Sequence, residues 1–125
     1  DYLLLKRNKN WWMLRRSGHI SHASALKVRI AGLKAFQTVG RYIKPTTRMI
    51  QIFGRHAVRG VLGISQNDLK KLAEGEYISS DIEMDNGYII LSFNGAVLGL
   101  GLLIDGRVTS QVPRRDLVLI AESIL

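Results

Sequence analysis

The chain has 125 residues, 46% hydrophobic and 22% charged, the proportions of an ordinary globular domain and not of a disordered or fibrous one. It has no cysteine, which excludes disulfides, cysteine-held zinc and thiol nucleophiles. The net charge is +8 and unevenly placed: residues 1–60 hold thirteen Lys or Arg and one acid, Asp1, whereas residues 61–125 hold five and nine.

No apolar run reaches the roughly 18 residues that a membrane span needs, and the start shows no signal-peptide pattern. A cytoplasmic protein without membrane attachment is expected. With Asp1 first instead of Met, a piece of a longer polypeptide is expected too.

In chain order, residues 2–5 and 11–14 are apolar and flank a polar stretch, Lys6-Arg7-Asn8-Lys9-Asn10. The pattern predicts a hairpin with a charged tip, with a short helix as the alternative. Residues 15–23 read as loop. Residues 26–31 alternate, with Leu26, Val28 and Ile30 on one face and Lys27 and Arg29 on the other, which predicts a half-buried strand. Gly32 breaks it, and residues 39–43 read as a further extended piece. Pro45 suits the first turn of a helix over residues 46–53, with Met49, Ile50 and Phe53 on one side and Gly54 as its cap.

Residues 57–62 read as a short strand. Ser65 and Asp68 have the spacing of a capping box, and Leu69, Leu72 and Ala73 supply the apolar stripe of a helix over residues 65–74 that ends at Gly75. Three strands follow, over residues 88–93, 96–104 and 107–112. They are joined by Asn94-Gly95 and Asp105-Gly106, dipeptides that accept the positive φ of a type I′ turn. Pro113 stops the sheet, and residues 116–125 form a last helix or strand. Together these elements predict an α+β fold, a small mixed or antiparallel β-barrel with two or three short helices. It is read as one domain over residues 1–125, with a hairpin or extension at 1–26 and a core at 27–125.

A stretch with cations and no carboxylate gives a one-signed field, the usual footprint of a polyanionic partner. The basic series comprises Lys27, Arg29, Lys34, Arg41, Lys44, Arg48, Arg55 and Arg59. Any one of them is ordinarily a solvated surface charge; the group reads as phosphate-binding. Trp11 and Trp12, adjacent on a strand, should point to opposite faces; core packing of both is the commoner outcome, and one exposed to stack on a base is the alternative. His19, His22 and His56 lack the companions of a metal site, and no metal is expected. Gly99-Leu100-Gly101 lacks the third glycine of a dinucleotide fingerprint and lies in a strand, so no cofactor is expected. No nucleophile elbow or carboxylate pair meets the requirements of a catalytic site, so the chain by itself is not expected to be an enzyme.

From Val28 to Arg115 the sequence resembles the PUA-like RNA-binding domain that follows the catalytic domain of Sun-type RNA cytosine-5 methyltransferases. The resemblance is carried by Val28-Arg29-Ile30-Ala31-Gly32-Leu33, by Gly40-Arg41-Tyr42-Ile43-Lys44-Pro45-Thr46, and by the helix end at Gly75-Glu76. It continues through Gly87-Tyr88-Ile89-Ile90, Leu98-Gly99-Leu100-Gly101, Asp105-Gly106-Arg107 and Val112-Pro113-Arg114. Order and spacing carry it more than any one motif, and Thr109-Ser110 departs from the Lys-Asn that the family often shows. The resemblance implies binding of tRNA or rRNA, positioned for a methyltransferase domain absent from this chain, which would itself supply the S-adenosylmethionine site and the two cysteines. The expected RNA contacts are Arg29, Lys34, Arg41, Lys44, Arg48, Arg55, Arg107 and Arg114. The alternatives are a protein-docking module in ribosome biogenesis that uses the apolar three-stranded face, and a small standalone enzyme.

Overall fold

A computed structural model describes residues 2–15 and 32–124. Among the described residues the architecture is mixed α+β and mostly strand, with three α-helices. Contacts divide the chain into two compact units, Asp1–Ile52 and Phe53–Leu125. The single domain expected over residues 1–125 has its internal boundary at 26/27.

The first unit is built on one antiparallel sheet. Its strands are β1 (Tyr2–Arg7), β2 (Asn10–Arg15), β3 (Leu33–Val39) and β4 (Tyr42–Pro45), in the order β1-β2-β3-β4. The expected hairpin is present, and its turn falls at Asn8-Lys9, where Asn8 takes a φ of 56°. The strand expected over residues 26–31 and the loop over 15–23 lie almost wholly outside the described residues.

Residues 39–43 are not one extended piece. They contain a tight reversal in which Gly40, of the two central residues, alone has a positive φ, 59°. That is the requirement of a type II′ hairpin turn, which places glycine first. Pro45 likewise ends β4, opposite Phe36, and does not open the helix. The helix start belongs to Thr46. Its Oγ1 accepts from the Met49 N–H at 3.1 Å and donates to the Lys34 carbonyl at 2.7 Å, so one hydroxyl caps α1 (Thr47–Phe53) and ties it to β3. Gly54 is not a left-handed cap but is buried at the start of a 3₁₀ turn, Gly54–His56.

The second unit carries β5 (Val61–Gly63), α2 (Gln66–Ala73), β6 (Ile78–Ser79), β7 (Gly87–Phe93), β8 (Ala96–Ile104), β9 (Arg107–Ser110) and α3 (Arg114–Ile124). The sheet order is β5-β7-β8-β9-β6, with β5 parallel to β7 and the other pairs antiparallel. Both expected turns are present, with positive φ at Asn94 and Gly95 and at Asp105 and Gly106. Asn86 clamps the second turn, accepting from the Asp105 N–H at 2.9 Å and donating to the Asp105 carboxylate at 3.1 Å.

The capping box at α2 is complete: Ser65 Oγ accepts from the Asp68 N–H, and the Asp68 carboxylate accepts from the Ser65 N–H, each at 3.1 Å. Its other end is a Schellman motif. Gly75, with a φ of 86°, donates to Leu72 O, and Glu76 donates to Lys71 O. One core cluster joins Leu69 and Leu72 of α2 and Leu117 of α3 to Ile89, Leu91, Leu103 and Val108 of the sheet. The last segment is thus a helix, whose apolar spacing buries Leu117.

Candidate nucleic-acid interface

Residues directly opposite each other in an antiparallel pair share a face, and neighbours along a strand alternate. Applied to the first sheet, these rules sort its side chains. Arg7 lies opposite Asn10, Asn10 opposite Gln37, and Gln37 opposite Lys44. One row therefore crosses all four strands on one face, with a cation at each end and two carboxamides between. Its ends lie about three interstrand spacings apart, roughly 14 Å.

Between Trp11 and Trp12 the register slips. Trp11 faces Phe36, Trp12 faces Lys34, and Ala35 is the extra residue on β3. The bulge reverses the alternation of β3, so Lys34 and Phe36 take opposite faces although two residues apart. Lys34 and Trp12 thereby join the face of Arg7, Asn10, Gln37, Tyr42 and Lys44. Trp11 falls on the other, with Lys6, whose Nζ lies 4.9 Å from its ring centroid. The expectation that the two tryptophans point apart is met, but both are half-buried.

Both faces also carry exposed apolar side chains, Leu5 and Val39 on the face of Arg7 and Tyr2, Leu4 and Ile43 on the other, where Leu4 and Met13 lie opposite each other. By register the positions of Arg7, Lys34 and Lys44 fall on the first side, and those of Lys6 and Arg15 on the other.

Strand direction adds a second ordering. β1 and β3 run toward the Asn8-Lys9 and Gly40-Arg41 turns, and β2 and β4 run away from them. Both turns therefore lie at one end of the sheet, where the Thr38 N–H donates to the Lys9 carbonyl at 2.7 Å. Arg7, Lys9, Arg41 and Lys44 gather at that end. The Arg41 guanidinium lies 6.0 Å from the Tyr42 ring centroid. No described residue of this unit is acidic.

Of the expected contacts, Lys34, Arg41 and Lys44 are thus brought onto one sheet. Arg48 is exposed on α1, which leaves the sheet at the end away from the turns. Arg29 lies outside the described residues, as do His19 and His22. Arg55, Arg107 and Arg114 belong to the second unit. Arg55 is exposed and donates through Nε to His56 Nε2 at 3.2 Å. Arg107 stacks on the exposed Tyr77 ring at 4.8 Å, beside a shallow depression that Asp105 also lines. Arg114 donates through Nε to Ala73 O at 3.0 Å and through Nη2 to Glu74 O at 3.3 Å, closing the end of α2.

No protein-family model and no curated protein matches this chain. The interface therefore stands on its own geometry. Among the described residues no three His, Asp or Glu side chains converge as metal ligands, and no helix is long and apolar enough to cross a membrane.

Sequence reasoning missed Arg7, Lys9, Asn10 and Gln37. The first two were visible as the charged tip of the hairpin. The carboxamides gave no signal, because only strand register aligns them with Lys44.

Proposed function

We propose that this chain is an RNA-binding module that acts through the basic, turn-proximal face of its first sheet. The observation that carries the reading is the coincidence of charge and fold. The first unit, Asp1–Ile52, holds eleven Lys or Arg and one acid, net +10, whereas the second holds seven and nine, net −2. Cations concentrated on one folded body, with an aromatic and polar amides among them, suit a phosphate backbone with bases attached. The sequence resemblance to the PUA-like domain of Sun-type RNA cytosine-5 methyltransferases supports the same reading. In it, a PUA-like barrel holds tRNA or rRNA for a methyltransferase domain carried elsewhere, and this chain performs no chemistry.

The docking alternative called for an exposed apolar surface on the three-stranded meander. The exposed large hydrophobic residues lie elsewhere, with none on β7, β8 or β9, and this favours RNA. A mobility-shift titration with tRNA across 50–200 mM salt tests the proposal. The logarithm of affinity should fall linearly with the logarithm of salt concentration. Absent or salt-independent binding overturns it.

A further inference from the structure

The row Arg7–Asn10–Gln37–Lys44 specifies which form of RNA the sheet suits. We infer that the sheet takes an unpaired RNA segment, laid across its strands, with phosphates at the two cationic ends and bases over the middle. The inference rests on the RNA reading above and deepens it.

Three observations carry it. First, the centre of the row is amide, not cation. A surface that only neutralised phosphates would need neither Asn10 nor Gln37, and carboxamides offer the paired donor and acceptor that base edges present. Second, neither of these half-buried carboxamides makes a hydrogen bond to any described residue, although they lie directly opposite each other. Among the described residues nothing takes up their donors and acceptors. Third, Trp12 stands two residues along β2 from Asn10 on the same face, about 7 Å away, and supplies a ring beside the amides. A base seated on that ring brings its edge toward Asn10 and Gln37.

These groups cannot use a duplex. A-form RNA keeps the major-groove edges of its bases in a deep, narrow groove that side chains do not read, shows only their minor-groove edges in a shallow one, and leaves no ring face free within the stack. A sheet side with short amides reaches base edges only when the bases are splayed out. Paired RNA could engage Arg7, Lys34 and Lys44 through phosphate alone, leaving the amides and Trp12 without a role.

The test uses the full chain and a labelled ten-nucleotide RNA of mixed sequence, alone and annealed to its complement, in fluorescence anisotropy at fixed salt. The single strand should bind at least tenfold more tightly than the duplex. The double variant Asn10→Ala, Gln37→Ala should lose roughly tenfold in single-strand affinity, with the salt slope unchanged. Trp12→Ala should lose roughly five- to hundredfold, and Trp12→Phe, which keeps a ring, should recover most of it. The amide variant removes no side-chain hydrogen bond among the described residues, so its result stands even if Trp12→Ala does not fold. Equal affinity for both RNA forms, or an unchanged amide variant, overturns the inference and leaves the RNA reading intact. Binding to neither form overturns the RNA reading itself.

Discussion

The Arg114 guanidinium lies 3.0 Å from the Ala73 carbonyl, across forty-one positions of sequence, and ties the first turn of α3 to the last residue of α2. The carbonyls at a helix end have no partner within the helix, and a charged donor satisfies them well. This gives Arg114 a structural duty. Arg114→Ala should lower unfolding free energy by roughly 1–2 kcal/mol in urea titration and leave RNA affinity within twofold. A large affinity loss in a variant of unchanged stability would return Arg114 to the interface.

Arg41 is expected to behave in the opposite way. It is exposed at a turn tip and makes no ion pair with any described residue. Arg41→Ala should leave urea stability nearly unchanged. The slope of log affinity against log salt should shrink by about 0.7, the share of one phosphate contact on a single strand. Arg48→Ala, on α1 away from the turns, should change the slope less.

Ser65 tests the cap of α2. Ser65→Ala removes the oxygen that accepts from the Asp68 N–H and should cost about 1 kcal/mol in the same titration. Ser65→Asp should restore most of it, since a carboxylate at that position also accepts and suits the positive end of the helix.

Gly99 tests the bend in β8. Its φ is +152°, and a Cβ there would stand 2.6 Å from Val112 Cγ2. Gly99→Ala should destabilise by roughly 1–3 kcal/mol through strain and overpacking together. Pairing it with Val112→Ala should recover part of that loss, which a double-mutant cycle would measure.

The parts of this fold that were legible in the sequence are those fixed by neighbours in the chain. Asn94-Gly95 and Asp105-Gly106 name their turns because both central residues tolerate positive φ. Ser65 and Asp68 name a helix start because each satisfies the other's backbone. Gly40 carries the same kind of information, but Val39 before it and Tyr42-Ile43 beyond Arg41 read together as one extended run. Pro45 was ambiguous on physical grounds, since a fixed φ near −65° serves a strand end as well as a first helical turn. The interface was half legible. Charge counts point to the portion of the chain that carries the proposed interface. The row of Arg7, Asn10, Gln37 and Lys44 depends on pairings between strands far apart in sequence. The bulge at Ala35, which decides that Lys34 joins that row's face, depends on a register that no local pattern encodes.

The concentration of positive charge on one contact unit has a thermodynamic consequence. Within Asp1–Ile52 like charges repel one another when the body is compact, and unfolding lets them separate. Multivalent anions relieve that repulsion only where the cations are held close together. Sulfate or phosphate buffer should therefore raise the melting temperature of the amino-terminal body well above its value in dilute chloride, while the carboxy-terminal body, with its mixed signs, melts almost indifferently to the choice of anion.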